Sequence, residues 1–415
     1  MSVTIGIDFG TTNCSASWVN PNTGRPEAVR FKDTGTWKIP SIIEFLNNGK
    51  VFVGKLPFEH IEDIAADQSL SEDERIIMEG SFYDKAKSRM SPTGYWRRPD
   101  KNYTHAELIS IILRKIKEEV ANAYAVNEKD IDKVVLTHPV EFEGWKKDIL
   151  KQAAILTGFK KVDFLEEPKA AAIYAIKAKQ VPSTCKGLLV YDFGGGTIDV
   201  AYIQIESDGE LHMPVLSQGD SRCGGDNIDQ AIYHDWDTYL KSTKGRGVSS
   251  DPTELDKAFL YRCRRLKETC SSNYYPGEIR EYIPGIGRVN RPFAQKDFDR
   301  IVEPIIDKTI AKVNLVLHDI RQKKLPLTHA ILIGGSSNLP MVKDKLKAIL
   351  GGVNIITTNN DDIAVAVGAI YSVDTEIKPK KEEPKECFCI HCGKKIMTSH
   401  KVCMFCGKPN FSYKP

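Results

Sequence analysis

The sequence of 415 residues contains no apolar run that approaches the ~20 residues a transmembrane helix requires. Its first residues, MSVTIGIDFG, alternate like a strand and lack the basic region of a secretory signal peptide. A net charge of +3 is too small to indicate a nucleic-acid-binding protein. With 41% hydrophobic and 27% charged residues, the composition is typical of a globular protein of two to three domains. We therefore expect a soluble, cytoplasmic protein with no membrane partner.

Cysteines are sparse in the main body and crowded near the C terminus. Cys14, Cys185, Cys223, Cys263 and Cys270 are widely separated, whereas the other five lie within the last thirty residues. This distribution favours a reduced compartment with a local metal site over a disulfide framework. Charge is also uneven, because nine lysines and four glutamates give residues 375–415 a charge of +5, which leaves −2 for residues 1–374.

Two segments nearly two hundred residues apart share one pattern: an apolar strand, Asp-Phe-Gly, a turn of small residues and a second strand. They are VTIGIDFGTTNCSASWV (3–19) and LLVYDFGGGTIDVAYI (188–203). A single glycine turn between strands is most simply a hairpin, but glycine also lets another group approach the backbone closely. The repeated pattern, together with alternating helix and strand signals, predicts a duplicated α/β fold of two lobes.

Helix start signals occur in both halves of the chain. Thr104 and Glu107 form a capping box ahead of a run with a continuous apolar face. Residues 251–254, Asp-Pro-Thr-Glu, combine a cap, a proline and an acid, which predicts another helix start there.

The two hairpin turns are candidates for anion binding. Small residues in a tight turn expose consecutive backbone N–H groups, and two such turns facing each other would hold a polyphosphate from both sides. Asp8 and Asp192 lead into these turns, and a carboxylate beside phosphate is repulsive unless a cation lies between them. Mg²⁺ with its water shell is therefore implied. A third turn, Gly334-Gly335-Ser336, would form a wall against which a nucleoside lies.

As a set, these motifs resemble the seventy-kilodalton heat-shock protein (DnaK-type) ATPases of the actin and sugar-kinase superfamily. The resemblance covers residues 1–373. IGIDFGTTNCS resembles the first phosphate loop, VYDFGGGTIDV the second, and LIGGSSNLP the adenosine turn. LEEPKAAAIYAI resembles the family's Glu-Pro helix start, and GDSRCGGDNID its Gly-Gly segment beside the nucleotide. The resemblance implies an actin-like ATPase fold around a nucleotide cleft.

The family's site residues carry over by motif. The resemblance implies that ATP or ADP is contacted by Gly10, Thr11, Thr12, Asn13, Gly194, Gly195, Gly196, Thr197, Gly225, Lys267, Ser271, Gly334, Gly335, Ser336 and Asp362. It implies water-mediated Mg²⁺ binding by Asp8 and Asp192, and catalytic roles for Glu167, Thr197 and Asp199. Glu167 would orient the attacking water or accept its proton. Without these motifs, an acid at a helix N-terminus is explained by the helix dipole alone.

Three features depart from the family pattern. Phe58 stands four residues after Gly54, where a catalytic lysine is expected, so either Lys55 reaches the γ-phosphate or that charge is missing. Glu268 and Asn338 stand where the family has adenine-stacking arginines, and Arg264 or Arg265 would have to stack instead. Nothing after residue 373 resembles the family's hydrophobic linker or its peptide-binding β-sandwich.

The C-terminal cysteines have zinc-ribbon spacing. Cys389-x2-Cys392 and Cys403-x2-Cys406 are separated by ten residues, and each pair is followed by a glycine that permits a tight turn. Four thiolates at this spacing suit a closed tetrahedral Zn²⁺ site, although four unrelated reduced thiols are the simpler alternative. Cys387 is an alternative ligand.

These observations predict four segments and rank three functions. The segments are lobe I at 1–180, lobe II at 181–373 with an inserted subdomain at about 226–300, a charged linker at 374–386, and a zinc ribbon at 387–415. The leading function is a slowly hydrolysing, ATP-driven conformational switch that acts through the ribbon or a partner. The alternatives are a non-hydrolysing ATP-sensing adaptor and a small-molecule kinase. We expect the ribbon to bind a protein rather than nucleic acid, because no aromatic platform accompanies its lysines.

Overall fold

The computed structural model describes residues 2–20, 23–67, 69–71, 74, 77–78, 81–99, 101–249, 256–283, 285–357 and 361–373, and near the C terminus residues 386–388, 392, 395–397 and 406. The chain divides into two compact units. The larger unit comprises residues 1–18 and 26–374, and the smaller comprises residues 19–25 and 375–415. The predicted division of the larger unit at residue 180, and the inserted subdomain, stay predictions.

The secondary structure alternates between strands and helices along the chain. Through residue 166 the strands are β1 (Val3–Phe9), β2 (Asn13–Val19), β3 (Pro26–Ala28), β4 (Ile39–Pro40), β5 (Ile42–Phe45), β6 (Val51–Val53), β7 (Phe82–Asp84), β8 (Tyr95–Arg97), β9 (Asn102–Thr104), β10 (Ile131–His138) and β11 (Lys161–Glu166). They continue as β12 (Gly187–Phe193), β13 (Ile198–Ile205), β14 (Leu211–His212), β15 (Gln218–Asp220), β16 (Gly277–Ile283), β17 (Gly287–Phe293), β18 (His329–Ile333), β19 (Asn354–Thr357), β20 (Glu386–Phe388) and β21 (Lys395–Met397). The described helices are α1 (Lys55–Ala66), α2 (His105–Tyr124), α3 (Gly144–Leu156), α4 (Glu167–Lys177), α5 (Gly225–Lys244), α6 (Lys257–Ser271), α7 (Gln295–Gln322), α8 (Pro340–Leu350) and α9 (Asp361–Tyr371).

Two six-stranded sheets repeat one topology. The first has the order β11-β10-β1-β2-β3, with β4 also paired to β2, and the second has the order β19-β18-β12-β13-β14, with β15 also paired to β13. In each sheet the hairpin is antiparallel, and the two strands beyond its first strand are parallel to it. The predicted α/β fold with a repeated unit is confirmed, and β1 and β12 occupy equivalent central positions.

The central strands β1 and β12 are largely apolar because both faces of each sheet are covered. In β12 every residue is buried. Leu189, Tyr191 and Phe193 pack in a cluster with apolar residues of α5 and α7. The alternate residues Leu188 and Val190 pack with small side chains of α4 and α9. Alternate residues of a strand face opposite sides of the sheet, and both sides of β12 are packed. Consecutive apolar residues are therefore needed in the strand that leads to the glycine turn.

Local sequence signals account for the starts of α2 and α6. Both hydrogen bonds of the predicted capping box between Thr104 and Glu107 are present at the start of α2. The expected helix start at residues 251–254 lies outside the described residues. The described helix α6 begins at Lys257, where the Asp256 side chain accepts a hydrogen bond from the backbone N–H of Phe259 at 2.7 Å. Among the described residues, no helix is long and apolar enough to cross a membrane.

Candidate functional site

The two glycine turns face each other in direct contact. A Cβ added to Gly195 would lie 2.1 Å from Thr12 Oγ1, and one added to Gly196 would lie 2.7 Å from Thr11 Oγ1. Both distances are shorter than the contacts that Cβ atoms make in proteins, so a side chain at either glycine would force the threonines of the other turn to move. Residues from β1–β2 and β12–β13 thus meet at one place, as the repeated pattern predicted.

A cavity of about 600 Å³ opens between the turns. The predicted site residues that line it are Asp8, Gly10, Thr11, Thr12, Asn13, Glu167, Asp192, Gly194, Gly195, Gly196, Thr197, Lys267, Ser271, Gly334, Gly335 and Ser336. Of the altered stacking positions, Glu268 and Asn338 line the same cavity. Lysines that the sequence argument did not consider, Lys38, Lys87 and Lys343, also line it.

Carboxyl groups and one buried lysine form the polar centre of the cavity. Lys87 Nζ lies 2.5 Å from Glu167 Oε1, and both side chains are buried. Although burial by itself lowers the pKa of Lys87, the carboxylates of Glu167 and Asp8 outweigh it and raise that pKa. Burial, reinforced by Glu167, raises the pKa of Asp199 to about 8.

The pKa of Asp192 is also raised by burial and by neighbouring carboxylates. Burial and then the charges of Glu167, Asp199 and Asp8 raise its pKa well above the ordinary range, and only Lys87 opposes them. The carboxyl groups that interact with the ammonium group of Lys87 are thus four: Asp8, Glu167, Asp192 and Asp199. This shortage of positive charge is the condition that a divalent cation relieves, so the residues present fit Mg²⁺.

The two aspartates that were predicted to bind Mg²⁺ occupy equivalent places in the two hairpins. Within the described part of the chain, no group of three or more Asp, Glu, His or Cys side chains is close enough to hold a metal directly. Asp8 is the penultimate residue of β1 and accepts a hydrogen bond from Thr137 Oγ1 at 3.3 Å, and Asp192 is the penultimate residue of β12. Mg²⁺ usually keeps several of its waters in protein sites, and the water-mediated role of the two aspartates stays a prediction.

The expectation that Lys55 reaches the site is wrong. Lys55 is the first residue of α1, its ammonium lies 3.4 Å from Glu59 Oε1, and 46% of its side chain is exposed. It does not line the cavity. Phe58, at the spacing where a lysine was expected, instead packs edge-on against Tyr261 with ring centroids 5.8 Å apart.

The cavity-lining lysine that pairs with Glu167 is Lys87, which sequence reasoning missed. It follows the short buried strand β7 by three residues, in the run Tyr83-Asp84-Lys85-Ala86-Lys87. The signal available was a lysine just after a strand that ends in aspartate. The family spacing predicts a lysine four residues after Gly54, and Lys87 lies far outside that spacing.

The third turn (Gly334-Gly335-Ser336) is hydrogen-bonded to the glycine turn that follows β12. Gly334 has φ +80°, and a Cβ there would lie 2.6 Å from the Phe193 carbonyl oxygen, so both the conformation and the space require glycine. Ser336 Oγ donates a hydrogen bond to the Gly194 carbonyl at 2.9 Å. This turn and the glycine turn after β12 therefore form one continuous backbone wall of the cavity.

Lys267 is positioned through Gly225. Lys267 Nζ donates to the Gly225 carbonyl at 3.0 Å and lies 2.7 Å from Asp229 Oδ1. The Gly225 N–H in turn donates to the Gly194 carbonyl at 3.0 Å. Gly225 thus supports the cavity without lining it. Asp199 also lies outside the lining, where its Oδ1 accepts from the Val140 N–H at 3.3 Å.

Neither expected replacement for the stacking arginines is free to stack. Arg264 lines the cavity, but its guanidinium is held by Asp226 and Asp229 at 3.2 and 3.3 Å. Arg265 does not line the cavity and is paired with Glu62 at 3.7 Å. The side chain of Asp362, an expected purine contact, lies outside the described residues.

The expected zinc ligands are only partly described. Cys389 and Cys403 lie outside the described residues, whereas Cys392 and Cys406 belong to them. Strands β20 and β21 pair antiparallel, with Cys387 opposite Ile396. The four-thiolate zinc site stays a prediction.

Comparison with known proteins agrees with this geometry. The family model described as Hsp70 protein matches residues 4–383. The chaperone protein DnaK of Thermosipho africanus (strain TCF52B) is 30% identical over 375 residues, which are 88% of this chain and 58% of that protein. The DnaK proteins of Thermosipho melanesiensis and Thermotoga maritima are each 29% identical, with the same coverage. The chain spans about 58% of the length of these relatives. Its sequence match, repeated sheets and paired glycine turns show that the chain belongs to the Hsp70 family.

Proposed function

We propose that this protein is an ATP-binding, slowly ATP-hydrolysing conformational switch. The observation that carries the proposal is the contact between two aspartate-led glycine turns, with the Lys87–Glu167 pair beside them in one cavity. Backbone N–H groups of both turns would bind the phosphate oxygens, as anion-binding turns do. The wall formed by Gly334, Gly335 and Ser336 would receive the nucleoside.

The roles of the polar residues follow from their positions. Asp8 and Asp192 would hold Mg²⁺ through water, and the ion would neutralise phosphate charge when bound. Glu167 would orient the attacking water and accept its proton, while Lys87 would hold the Glu167 carboxylate in place and face developing negative charge. Asp199 lies outside the cavity lining. Because its pKa is raised to about 8, its carboxyl group would hold a proton near neutral pH. Thr197 would contact phosphate from the second turn.

The switch is distinguished from a non-hydrolysing ATP-sensing adaptor by turnover. We expect a steady-state ATPase rate well below the ~10 s⁻¹ of a typical enzyme, because a switch benefits from remaining in one state. Phosphate release measured with excess Mg·ATP tests this. Release at a rate that Glu167→Gln lowers supports the switch, whereas tight ATP binding without any release supports the adaptor. Transfer of phosphate to a small molecule, the third alternative, would appear as ADP formation without matching free phosphate.

The output of the switch would pass through the C-terminal segment. We propose that Cys389, Cys392, Cys403 and Cys406 bind one Zn²⁺ and that the resulting ribbon captures a partner. Four thiolates leave no open coordination position, so the zinc would stabilise the fold of the segment rather than act in catalysis. The nine lysines of residues 375–415 favour an acidic protein surface. Removal of residues 375–415 should leave ATP binding intact and abolish partner capture.

A further inference from the structure

Ser15 is a buried serine of β2, and it lines the cavity between the glycine turns. Only 2% of the residue is exposed, yet its Oγ has no hydrogen-bond partner among the described residues. Buried hydroxyl groups almost always have a partner, because an unpaired one loses the hydrogen bonds that it makes with water. The proposed function gives Ser15 no role, so this hydroxyl group requires an explanation.

The register of the first hairpin places Ser15 opposite Asp8. Strands β1 and β2 are antiparallel, and Asp8 pairs with Ser15 just as Gly6 pairs with Ser17 two residues away. Paired residues of this kind have their side chains on the same face of the sheet, with Cβ atoms about 4.5–5.5 Å apart. The second pair shows this approach directly, because a Cβ added to Gly6 would lie 2.8 Å from Ser17 Oγ. Ser15 therefore lies beside an aspartate that would hold Mg²⁺.

The second hairpin has a carboxyl group where the first has this hydroxyl. Asp192, at the place equivalent to Asp8, pairs with Asp199 as Asp8 pairs with Ser15. Asp199 accepts a hydrogen bond from the Val140 N–H at 3.3 Å, whereas the Ser15 hydroxyl has no such partner in the part of the chain that the structure describes. A further carboxylate opposite Asp8 would add to the repulsion among the carboxyl groups of the cavity. This position thus suits a neutral group that forms hydrogen bonds.

A hydrated Mg²⁺ ion needs such groups around it. The ion usually keeps several waters, and side chains that form hydrogen bonds with the ligands of a metal orient them and raise metal affinity. A serine hydroxyl has two lone pairs that accept and one hydrogen that donates. Asp8 already accepts a hydrogen bond from Thr137 Oγ1 of β10, the neighbouring strand on the side away from β2. Ser15 supplies a hydroxyl on the β2 side, next to the water that Asp8 would hold.

We propose that Ser15 is a further residue of the hydrated Mg²⁺ site, where its hydroxyl forms a hydrogen bond with a water of the ion and orients that water beside Asp8. This inference rests on the proposed function, because it takes Mg²⁺ and a nucleotide as the occupants of the cavity. Ser15 contacts neither the nucleotide nor the reacting atoms, so it is a positioning residue. Its contribution to ATP binding should therefore be present with Mg²⁺ and absent without it.

The test compares Ser15→Ala with a matched control, Ser17→Ala. Ser17 is also a buried serine on the same face of β2, but its Oγ donates to the Ala366 carbonyl at 2.5 Å, and it does not line the cavity. Calorimetry with ATP, in Mg²⁺ and in EDTA, measures binding. We expect Ser15→Ala to weaken Mg·ATP binding about tenfold, as loss of a group that orients a metal ligand does, and to change ATP affinity in EDTA less than about twofold. Ser17→Ala should leave both affinities unchanged.

Thermal unfolding without nucleotide or Mg²⁺ gives a second readout, in which the two variants should differ. Ser15→Ala removes a buried hydroxyl that has no partner, so its melting temperature should equal or exceed that of the wild type. Ser17→Ala loses a hydrogen bond that is present, so it should melt at a lower temperature. A lower melting temperature for Ser15→Ala as well would show a merely structural role. Ser15→Cys keeps the size of the side chain with a weakly hydrogen-bonding thiol, and takes the place of Ser15→Ala if that variant is unfolded.

The possible outcomes separate the inference from the proposed function. If the wild-type protein is folded but does not bind Mg·ATP, the proposed function fails. If the wild type binds Mg·ATP and Ser15→Ala binds it equally well, or loses the same factor in EDTA, the role of Ser15 at the ion is wrong. If the wild type binds no ATP in EDTA, the rise in melting temperature caused by Mg²⁺ alone is compared instead. A smaller rise for Ser15→Ala than for the wild type and Ser17→Ala supports the role, and an equal rise contradicts it.

Discussion

Lys87 and Glu167 are eighty residues apart in sequence, yet their side chains meet at 2.5 Å inside the cavity. One follows the short strand β7 and the other begins helix α4, so the contact joins two elements that no local pattern relates. Both side chains are almost completely buried. The Lys87 ammonium opposes the burial and the neighbouring carboxylates that together raise the pKa of Asp192.

Removal of the lysine should destabilise the protein. We expect Lys87→Met to lower the free energy of unfolding by about 3–5 kcal/mol, because it leaves a buried carboxylate unpaired. Urea unfolding without nucleotide measures this, with Lys55→Met as the exposed control, for which we expect a change within about 0.5 kcal/mol. The double variant Lys87→Met/Glu167→Gln should recover part of the loss. A Lys87→Met protein as stable as the wild type would contradict the importance of the pair.

Glu167 should matter for hydrolysis more than for binding. We expect Glu167→Gln to slow phosphate release about a hundredfold or more, the usual effect of losing a general base, with ATP affinity changed by less than about threefold. The adjacent Glu166→Gln is the matched control, because Glu166 is paired with Lys169 at 2.7 Å and lies outside the cavity lining. Equal rates for wild type and Glu167→Gln would rule out the role assigned to Glu167.

Asp192 should affect stability and binding in opposite directions. In the absence of Mg²⁺, Asp192→Asn removes a buried carboxyl that its neighbours repel, so we expect a higher melting temperature. The same change removes a ligand to the hydrated ion, so Mg·ATP affinity should fall about tenfold or more. Differential scanning calorimetry and binding calorimetry measure the two effects. A variant that loses both stability and affinity would indicate only a structural role.

The high pKa of Asp199 predicts a pH dependence with a definite sign. Burial, and then Glu167, raise this pKa from 3.8 in the unfolded chain to about 8 in the folded protein. Between these values the folded state binds more protons, so the stability contributed by Asp199 is present at low pH and is lost as pH rises towards 8. Asp199→Asn removes this loss. We expect its melting temperature relative to the wild type to increase from pH 5 to pH 8.5, whereas a constant difference would contradict the raised pKa.

The C-terminal cysteines provide a separate test of the proposed zinc site. Native mass spectrometry of the full chain should find one zinc ion per molecule. Cys392→Ser should lose it, because a four-thiolate site tolerates no missing ligand, while Cys387→Ser should retain it. Zinc that is lost from Cys387→Ser instead would assign that cysteine to the site, and a wild-type chain without zinc would remove the ribbon from the proposal.

Features that depend on local sequence could be predicted, and features that depend on distant contacts could not. The capping box at Thr104 and the two aspartate-led hairpins follow from spacing within a few residues, and the structure contains them. The matching topology of the two sheets follows from the repeat. Lys87 was missed and Lys55 chosen because the lysine that reaches Glu167 is selected by how β7 and α4 come together.

The most direct test of the central claim is calorimetric titration of the folded 415-residue chain with Mg·ATP. Two facing glycine turns with carboxylates that need a divalent cation should give saturable binding of one ATP per chain, weakened when Mg²⁺ is chelated. Asp192→Asn should weaken it as well, and the Lys55→Met control should leave it unchanged. Absence of ATP binding to folded protein, or ATP binding that is indifferent to both Mg²⁺ and Asp192→Asn, would contradict the assignment of this cavity as a nucleotide site.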